Sequence, residues 1–282
     1  MSAAYEVQAN VIYGMISGAA LLMDVYRPSS GANGYGVLYI SGSAWRSALG
    51  YDAGQLKDSP QVRQYAEPLV AAGYTVFAIN HRAVPRFRYP APLEDAQRAV
   101  RFVRHHAAEF GIRADRIGGC GGSSGGHLSC MLGLLPGEGY ADDPDPVGRE
   151  SSRVQCVVAR AAPIDLVNGQ GNLGGGGLAD LLGTTLGRAG PGSPEQRLYR
   201  DASPITYVRD DAPPFLLLHG DADPVVPIRN SELLLAALDR LHVPAKLVRI
   251  PNGGHGGEFP GATNPPDYLG EMVRWFDTYL RV

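Results

Sequence analysis

Short apolar runs alternate along the chain with longer segments in which apolar residues recur every three or four positions. Runs of the first kind indicate buried strands, and segments of the second kind indicate amphipathic helices. The predicted strands read YEVQANVIYG, ALLMDVYRP, YGVLYIS, YTVFAIN, DRIGGCG, VQCVVARAAP, PFLLLHG and AKLVRIP. The first two predict a hairpin, and helical segments between the later strands predict a mostly parallel sheet.

The helical segments read QVRQYAEPLVAAG, PLEDAQRAVRFVRHHAAEFG, SGGHLSCMLGLL, IRNSELLLAALDRLH and PPDYLGEMVRWFDTYL. The second of them, residues 92–111, is the longest, with acidic residues in its first turn and Gly111 after its last. Residues 164–212 depart from the alternation of strands and helices, because they are rich in Gly and Pro and contain only short helical pieces. We predict one α/β domain over residues 1–282, in which about 164–212 form a small insertion, a cap or lid, over one end of the sheet.

Composition narrows the class of protein. A chain of 282 residues fits one large α/β domain. The net charge of −3 and the lack of a basic stripe argue against a nucleic-acid partner. Cys120 and Cys156 lie in apolar runs, and no C-x-x-C pair occurs, so we expect reduced core cysteines.

The amino-terminal stretch has no basic start, and its run GMISGAALLM is too short to span a membrane. We therefore expect a cytoplasmic protein without a membrane partner. The sequence leaves monomer and homodimer open. No His, Asp or Glu cluster has the spacing of metal ligands, so no metal or other cofactor is predicted.

Residues 115–128 read DRIGGCGGSSGGHL, in which the pattern G-x-S-x-G fits around both Ser123 and Ser124. A strand, glycines, a serine and a helix in this order are what a nucleophile elbow requires, because its serine occupies a strained turn. The hydroxyl group would lie at the amino end of the helix, where backbone N–H groups favour an oxyanion. The alternative is a Gly-rich turn or phosphate loop, but the Gly-Lys-Ser/Thr of nucleotide-binding loops is missing.

A catalytic serine needs a base, and the base needs a carboxylate to orient it. Asp221 and Asp223 follow the apolar strand of LLLHGDADPVVP, and His255 follows the next strand in a glycine loop. Each residue alone is ordinary in a surface turn. Together they have the chain order serine, acid, histidine, each after a predicted strand, which predicts a catalytic triad.

These segments resemble those of α/β-hydrolase fold esterases, in the group that includes hormone-sensitive-lipase-like, acetylxylan and feruloyl esterase-like enzymes. The resemblance is strongest over residues 115–128 and 202–257. In that group the nucleophile is followed by Ala-Gly-Gly-His/Asn-Leu, so matching GGHL to residues 125–128 implies that Ser123 is the nucleophile and Ser124 replaces the alanine. The implied fold is a mostly parallel twisted sheet of about eight strands with helices on both faces.

The resemblance also chooses between the two aspartates. The group's pattern H-G-x-x-D-x-x-V-P matches His219, Gly220, Asp223, Val226 and Pro227. Asp223 is therefore the implied triad acid, His255 the implied base, and Asp221 a helper or turn former.

In this group a His-Gly-Gly-Gly-Trp segment donates to the oxyanion, and the corresponding segment here reads SGSAW. The resemblance implies backbone donors at Ser43, Ala44 and Ser124. Gly42 and Trp45 are expected near the substrate; Trp45 either anchors the loop or forms a wall, and we favour the anchor. His81, which follows a strand, is a further candidate for lining the entrance.

We predict a serine carboxylic ester hydrolase that acts on a small-molecule ester through an acyl-enzyme. The small loop SGSAW and the shortage of large apolar residues in the insertion favour short or aromatic, flat acyl groups over long lipid chains. Carbohydrate and hydroxycinnamoyl esters are implied by the resemblance only. The alternatives are an amidase or peptidase of the same fold, such as an arylformamidase-like or prolyl-peptidase-like enzyme, and a non-catalytic binding protein.

Overall fold

Eight strands form one mixed sheet in the computed structural model, which describes residues 5–50, 52–168, 177–186 and 190–281. The strands are β1 (Tyr5–Ile16), β2 (Ala19–Pro28), β3 (Gly36–Ile40), β4 (Thr75–Ile79), β5 (Ile117–Gly122), β6 (Cys156–Arg160), β7 (Phe215–Gly220) and β8 (Ala245–Ile250). Their order across the sheet is β1-β2-β4-β3-β5-β6-β7-β8. The hairpin β1–β2 and the pair β2–β4 are antiparallel, and the other neighbours are parallel.

Helices cover both faces of the sheet. They are α1 (Pro60–Ala71), α2 (Ala91–His105), α3 (Ser124–Leu134), α4 (Gly177–Leu182), α5 (Pro194–Asp201), α6 (Arg229–Arg240) and α7 (Tyr268–Tyr279), with short 3₁₀ turns at Leu56–Asp58, Pro146–Arg149 and Pro204–Tyr207. Apolar side chains of α1 and α7 belong to one buried cluster, and those of α2, α3 and α6 to the other. The predicted α/β-hydrolase fold, with its mostly parallel sheet between helices, is confirmed.

The central strand β3 shows why a continuous apolar run suits this position. Side chains alternate between the two faces of a strand. Val37 and Tyr39 therefore pack in the cluster with α1 and α7, whereas Leu38 and Ile40 pack in the cluster with α2 and α3. Both faces are covered, so both sets of positions are apolar.

The long helix predicted over residues 92–111 is shorter in the structure and ends at His105. Beyond it the chain turns, and Phe110 packs edge-on against Phe77 of β4, with ring centroids 4.9 Å apart. Gly111 has a φ of 66°, which lets the chain reverse towards β5. Burial of Phe110 against the sheet thus overrides a helical pattern that continues in the sequence.

All parallel strands end at the same edge of the sheet, where the loops after β3, β5, β6, β7 and β8 meet. Open α/β sheets bind ligands at this edge. The predicted site residues after β3, β5, β7 and β8 therefore come close together, although they are distant in the sequence.

The predicted insertion at 164–212 contains α4, α5 and the 3₁₀ turn Pro204–Tyr207, whereas residues 169–176 and 187–189 lie outside the described residues. Its helix α4 lies against the loop after β3: Asp180 forms an ion pair with Arg46, and a Cβ atom on Gly177 would come 3.3 Å from the Cβ atom of Ala44. That the chain forms one domain with a cap or lid stays a prediction.

Two further sequence predictions concern the core and the membrane. Cys120 and Cys156 are buried and form no disulfide, as predicted. Within the described residues, every helix is too short or too polar to cross a bilayer.

Candidate active site

Ser123 lies in the tight turn between β5 and α3, with φ 53° and ψ −121°. This is a strained conformation for a residue with a side chain. The turn is possible only because its neighbours are glycines: a Cβ atom on Gly125 would lie 1.9 Å from the carbonyl oxygen of Ile40, and one on Gly121 would lie 2.5 Å from the backbone of Gly125. The G-x-S-x-G register around Ser123 is therefore the one that forms the turn, whereas Ser124 is the first residue of α3.

The loops after β7 and β8 bring an acid and a histidine to Ser123. His255 Nε2 lies 3.0 Å from Ser123 Oγ, and His255 Nδ1 lies 2.7 Å from Asp223 Oδ2. Both distances are those of hydrogen bonds. The His255 side chain is 19% exposed and the Asp223 side chain is fully buried, so the hydroxyl group and the imidazole can be reached from outside while the carboxylate cannot.

Asp223 is held as an anion by the groups around it. Burial raises the pKa of its carboxyl group, but hydrogen bonds from His219 and His255 and from the Val226 N–H group outweigh burial, and the pKa falls well below the usual range. The Oδ1 atom accepts from the backbone N–H groups of Val225 and Val226, at 2.8 and 2.9 Å. Asp223 therefore presents Oδ2 to His255 in a fixed orientation.

Asp221, the other acid of the pair, does not contact His255. Its Oδ1 atom accepts from the Asn252 N–H group at 2.7 Å, and its own N–H group donates to the Ile250 carbonyl oxygen. It joins the loop after β7 to the loop that carries His255, which is the position of a turn former.

The loop after β3 comes directly against the serine turn. A Cβ atom on Gly42 would lie 2.7 Å from the Gly122 carbonyl oxygen, so only glycine fits there. Ala44 and Trp45 both have positive φ angles, 54° and 57°, which is costly for residues with side chains and turns the backbone of the loop towards the site.

The three predicted oxyanion donors differ in their present contacts. The Ser43 N–H group donates to Ser124 Oγ at 2.9 Å. The backbone N–H groups of Ala44 and Ser124 have no acceptor within the described part of the chain. Two donors are thus free for a substrate oxygen, while the third is engaged by a neighbouring hydroxyl group, a contact that sequence reasoning missed.

Trp45 is buried, and its indole Nε1–H donates to His127 Nδ1 at 3.2 Å. On the other side of the ring, His127 Nε2 donates to the Ala202 carbonyl oxygen at 2.8 Å. This chain of contacts connects the loop after β3 to α3 and then to the segment after α5. Trp45 has the contacts of an anchor, and it also lines the cavity described below.

The contacts of His127 predict a pH dependence of stability. Burial lowers the pKa of His127 to about 4, against the opposing effect of its hydrogen bond to Ala202. In the unfolded chain the pKa is about 6.5. The neutral ring therefore contributes stability that is fully present above about pH 6.5 and is lost as the pH falls towards 4, in total about 3 kcal/mol.

In His127→Gln the amide group can accept from Trp45 and donate to Ala202 without titrating. Between pH 7 and 5 we expect the free energy of unfolding in urea to fall by about 2 kcal/mol less than in the wild type. His105→Gln, at an exposed site, is the control and should follow the wild type. Identical pH slopes for wild type and His127→Gln would contradict the assignment of a buried neutral ring.

A cavity of about 240 Å³ opens at Ser123 and His255. It is also lined by residues 42–45 of the loop after β3 and by Gln61, Arg160, Pro163, Val225 and Gly256. His81 is not among these lining residues: it is buried, and its Nδ1 atom is 2.9 Å from the Arg82 carbonyl oxygen. Its proposed place at the entrance stays a prediction.

A larger hollow of about 630 Å³ lies between β1 and α2. Its lining includes Arg82 and Asp95, which pair with each other, and the described residues that line it include no serine or cysteine. The smaller cavity, in which Ser123 Oγ and His255 Nε2 lie 3.0 Å apart, is therefore the candidate active site. Among the described residues no group of three potential ligands is arranged to hold a metal ion.

Sequence reasoning missed Arg160, which lines the cavity beside Ser123. The sequence did contain one indication of this position. Arg160 ends the apolar run VQCVVAR, at the edge of the sheet where the loops of the site meet. Sequence reasoning also gave no partner for His127, which contacts Trp45 in the structure.

Comparison with known proteins supports the resemblance. A sequence model of the BD-FAE family matches residues 23–238. Esterase LipQ of Mycobacterium tuberculosis is 34% identical over 202 residues, covering 70% of this chain and 46% of LipQ. The probable carboxylic ester hydrolase LipM of the same organism is 34% identical over 233 residues, covering 80% of this chain and 50% of LipM. The chain thus spans about half the length of these curated relatives.

Solved structures of esterases have the same fold as this chain. A truncated carbohydrate esterase from gut microbiota superposes with a TM-score of 0.79 at 28% identity, over 99% of this chain and 98% of that one. An acetyl ester-xyloside bifunctional hydrolase from Caldicellulosiruptor lactoaceticus superposes with a TM-score of 0.77 at 28% identity, over 92% and 88%. With its fold, its serine turn and a family match over most of its length, the chain belongs to the BD-FAE family of esterase-like α/β hydrolases.

Proposed function

We propose that this protein is a serine carboxylic ester hydrolase. The main support for the proposal is that Ser123 Oγ, His255 and Asp223 form a continuous series of hydrogen bonds. Ser123 and His255 line a cavity of the size of a small ester. The esterase relatives support the same reaction class. A non-catalytic binding role would not require a hydroxyl group, a base and a buried carboxylate in this order.

In the proposed reaction, Ser123 Oγ attacks the ester carbonyl carbon while its proton passes to His255 Nε2. The carbonyl oxygen becomes an oxyanion that accepts hydrogen bonds from the Ala44 and Ser124 N–H groups, and from Ser43 once its contact with Ser124 Oγ is released. The bond to the alcohol oxygen then breaks, and His255 donates its proton to that oxygen. Water, activated by the same imidazole, attacks the acyl-enzyme and releases the acid.

The positive charge that forms on His255 during both steps is offset by Asp223. Because the pKa of Asp223 lies well below its usual range, this carboxylate remains ionised throughout the neutral and mildly acidic pH range. Its two backbone hydrogen bonds prevent rotation, so the imidazole keeps the tautomer that accepts the serine proton.

We propose short or flat acyl groups as substrates, with acetylated carbohydrates or hydroxycinnamoyl esters as the candidate natural classes. The cavity of about 240 Å³ lies below the range of about 300–1,000 Å³ that is common for drug-sized ligands. The ion pair between Arg46 and Asp180 supports a role for the insertion as a small cap on the loop after β3.

The test is a series of 4-nitrophenyl esters from acetate to dodecanoate, together with methyl ferulate and acetylated xylan. Among the linear esters we expect kcat/KM to be highest for acyl chains of two to four carbons and to fall steeply for longer ones, since a flexible chain loses more conformational freedom in a small cavity than a flat aromatic acyl group does. 4-Nitroacetanilide, the amide analogue of the acetate ester, separates esterase from amidase activity. A maximum at eight or more carbons would contradict the assigned pocket, and faster cleavage of the amide would favour the amidase alternative.

A further inference from the structure

Arg160 places a buried positive charge next to the proposed nucleophile. It is the last residue of β6 and pairs with Gly122 of β5, the residue before Ser123. Its guanidinium group packs directly on that backbone, as the lack of space there shows: a Cβ atom on Gly122 would lie 2.1 Å from Arg160 Nη2. The residue is 2% exposed, and it lines the cavity that contains Ser123 and His255.

The partners of this guanidinium group are all neutral. Its Nη1 atom donates to the Gly256 carbonyl oxygen at 2.9 Å, and its Nη2 atom donates to Gln61 Oε1 at 3.3 Å. The ring of Phe259 lies 6.0 Å from the guanidinium carbon, which stabilises the cation without neutralising it. Among the described residues, the Nε–H group has no hydrogen-bond partner and no carboxylate forms an ion pair with this side chain.

A buried cation without an anion is costly, and buried charges are normally paired. Holding Gly256 in place explains a hydrogen-bond donor at this position but not a full charge, since a neutral amide could donate to the same oxygen atoms. A second lining residue, Ser43, also has a buried side-chain oxygen that finds no partner in the described part of the chain. Moreover, no aspartate or glutamate lines the described part of the cavity.

We propose that Arg160 binds a carboxylate group of the substrate, so that the protein prefers esters carrying a negative charge close to the scissile bond. An ionised carboxylate only accepts hydrogen bonds, and both Arg160 and the Ser43 hydroxyl group can donate to it. This inference rests on the proposed esterase function and specifies its substrate class. The small cavity is lined by both Ser123 and Arg160, so the carboxylate and the scissile ester belong to one small molecule.

The carboxylate can belong to either half of the ester. On the acyl side the substrate would be a hemiester of a dicarboxylic acid, and on the alcohol side an acyl ester of a hydroxy acid or of a sugar acid. Two pairs of matched esters distinguish these sources. The acyl pair is mono-4-nitrophenyl succinate and its neutral analogue 4-nitrophenyl 4-oxopentanoate, and the alcohol pair is 4-carboxyphenyl acetate and 4-carbamoylphenyl acetate.

The measured quantity is the ratio of kcat/KM for the charged ester to kcat/KM for its neutral partner, after subtraction of the spontaneous rates. This ratio cancels any change that affects both esters equally. For the wild type we expect a ratio of about ten to one hundred in one of the two pairs, the effect of a hydrogen bond between charged groups.

Two variants remove the free charge in different ways. Arg160→Gln deletes the cation, and Gln61→Glu puts a carboxylate next to Nη2, so that the guanidinium group is neutralised without being removed. Both should bring the ratio close to one. Arg240→Gln, on the exposed surface of α6, is the matched control and should keep the wild-type ratio. If Arg160→Gln does not fold, Gln61→Glu decides alone.

A wild-type ratio near one in both pairs would overturn the inference while leaving the esterase function intact, because the neutral esters would still be hydrolysed. A high ratio that persists in Gln61→Glu and in a folded Arg160→Gln would also overturn it, since the preference would then come from another group. If the wild type hydrolyses neither member of either pair, the proposed function fails and this inference fails with it.

Discussion

Replacing Ser123 by alanine is expected to lower kcat for ester hydrolysis by a factor on the order of 10⁶, as loss of the nucleophile does in the serine protease subtilisin. The variant should fold as the wild type does, because within the described residues the Ser123 hydroxyl group makes a hydrogen bond only to His255, and it buries no large surface. The measurement is the 4-nitrophenyl acetate rate, with circular dichroism and urea unfolding to verify the fold. A serine-directed phosphonate should label the wild type once per chain and leave Ser123→Ala unlabelled.

Ser124→Ala is the matched comparison for this variant. Only the backbone N–H group of Ser124 is required in the proposed mechanism, so the variant should keep activity within about ten-fold of the wild type. It also removes the acceptor of the Ser43 N–H group, which then becomes free for the oxyanion. An inactive Ser124→Ala protein beside an active Ser123→Ala protein would show that the nucleophile has been assigned to the wrong serine.

Asp223→Asn is expected to lower kcat/KM by about 10⁴-fold, the effect of the same substitution in the best-studied triad. The structure explains why relaxation cannot rescue the variant. The Val225 and Val226 N–H groups require an oxygen at the Oδ1 position, so the amide NH₂ group must face His255. His255 Nδ1 would then accept a hydrogen bond, Nε2 would carry the proton, and the imidazole could not accept the proton of Ser123.

Asp221→Asn is the control, since its amide oxygen can still accept from the Asn252 N–H group. We expect its kcat/KM to stay close to that of the wild type, with at most a modest loss of stability in the loop that carries His255. Equal losses of activity in Asp221→Asn and Asp223→Asn would mean that the roles of the two acids have been divided wrongly.

These predictions depend on residues whose local sequence identifies them to different degrees. The pair Ser123 and Ser124 is identifiable because a strained turn with close backbone approach admits only glycine around it, and these glycines are visible in a few consecutive residues. The choice of Ser123 needed the family pattern, because G-x-S-x-G fits around both serines. Asp223 and His255 follow apolar strands in the order that a triad on this fold needs, so topology and chain order are enough to nominate them. The choice of Asp223 over Asp221 needed the family pattern, because both acids occupy the same predicted turn.

Contacts between distant segments could not be predicted from the sequence. Trp45 and His127 are 82 positions apart, and Ser43 and Ser124 are 81 apart. Nothing in either local pattern specifies the partner. Whether the Ser43 N–H group is free or engaged depends on how the loop after β3 lies against α3. The positive φ angles of Ala44 and Trp45 set that arrangement, and they exist only in the folded chain.

The order of strands and helices and the parallel sheet follow from the sequence alone, and so does the small set of residues from which the proposed triad is drawn, because apolar periodicity and short-range steric demands are properties of neighbouring residues. The family resemblance then selected Ser123 and Asp223 within that set. The end of α2, where Phe110 packs on Phe77, and the environment of Arg160 depend on contacts between distant segments that form only in the folded chain. In the sequence Arg160 is one arginine at the end of a strand. It becomes a buried charge beside Ser123 because the pairing of β5 with β6 sets it against Gly122, and because α1 and the loop after β8 exclude water from it.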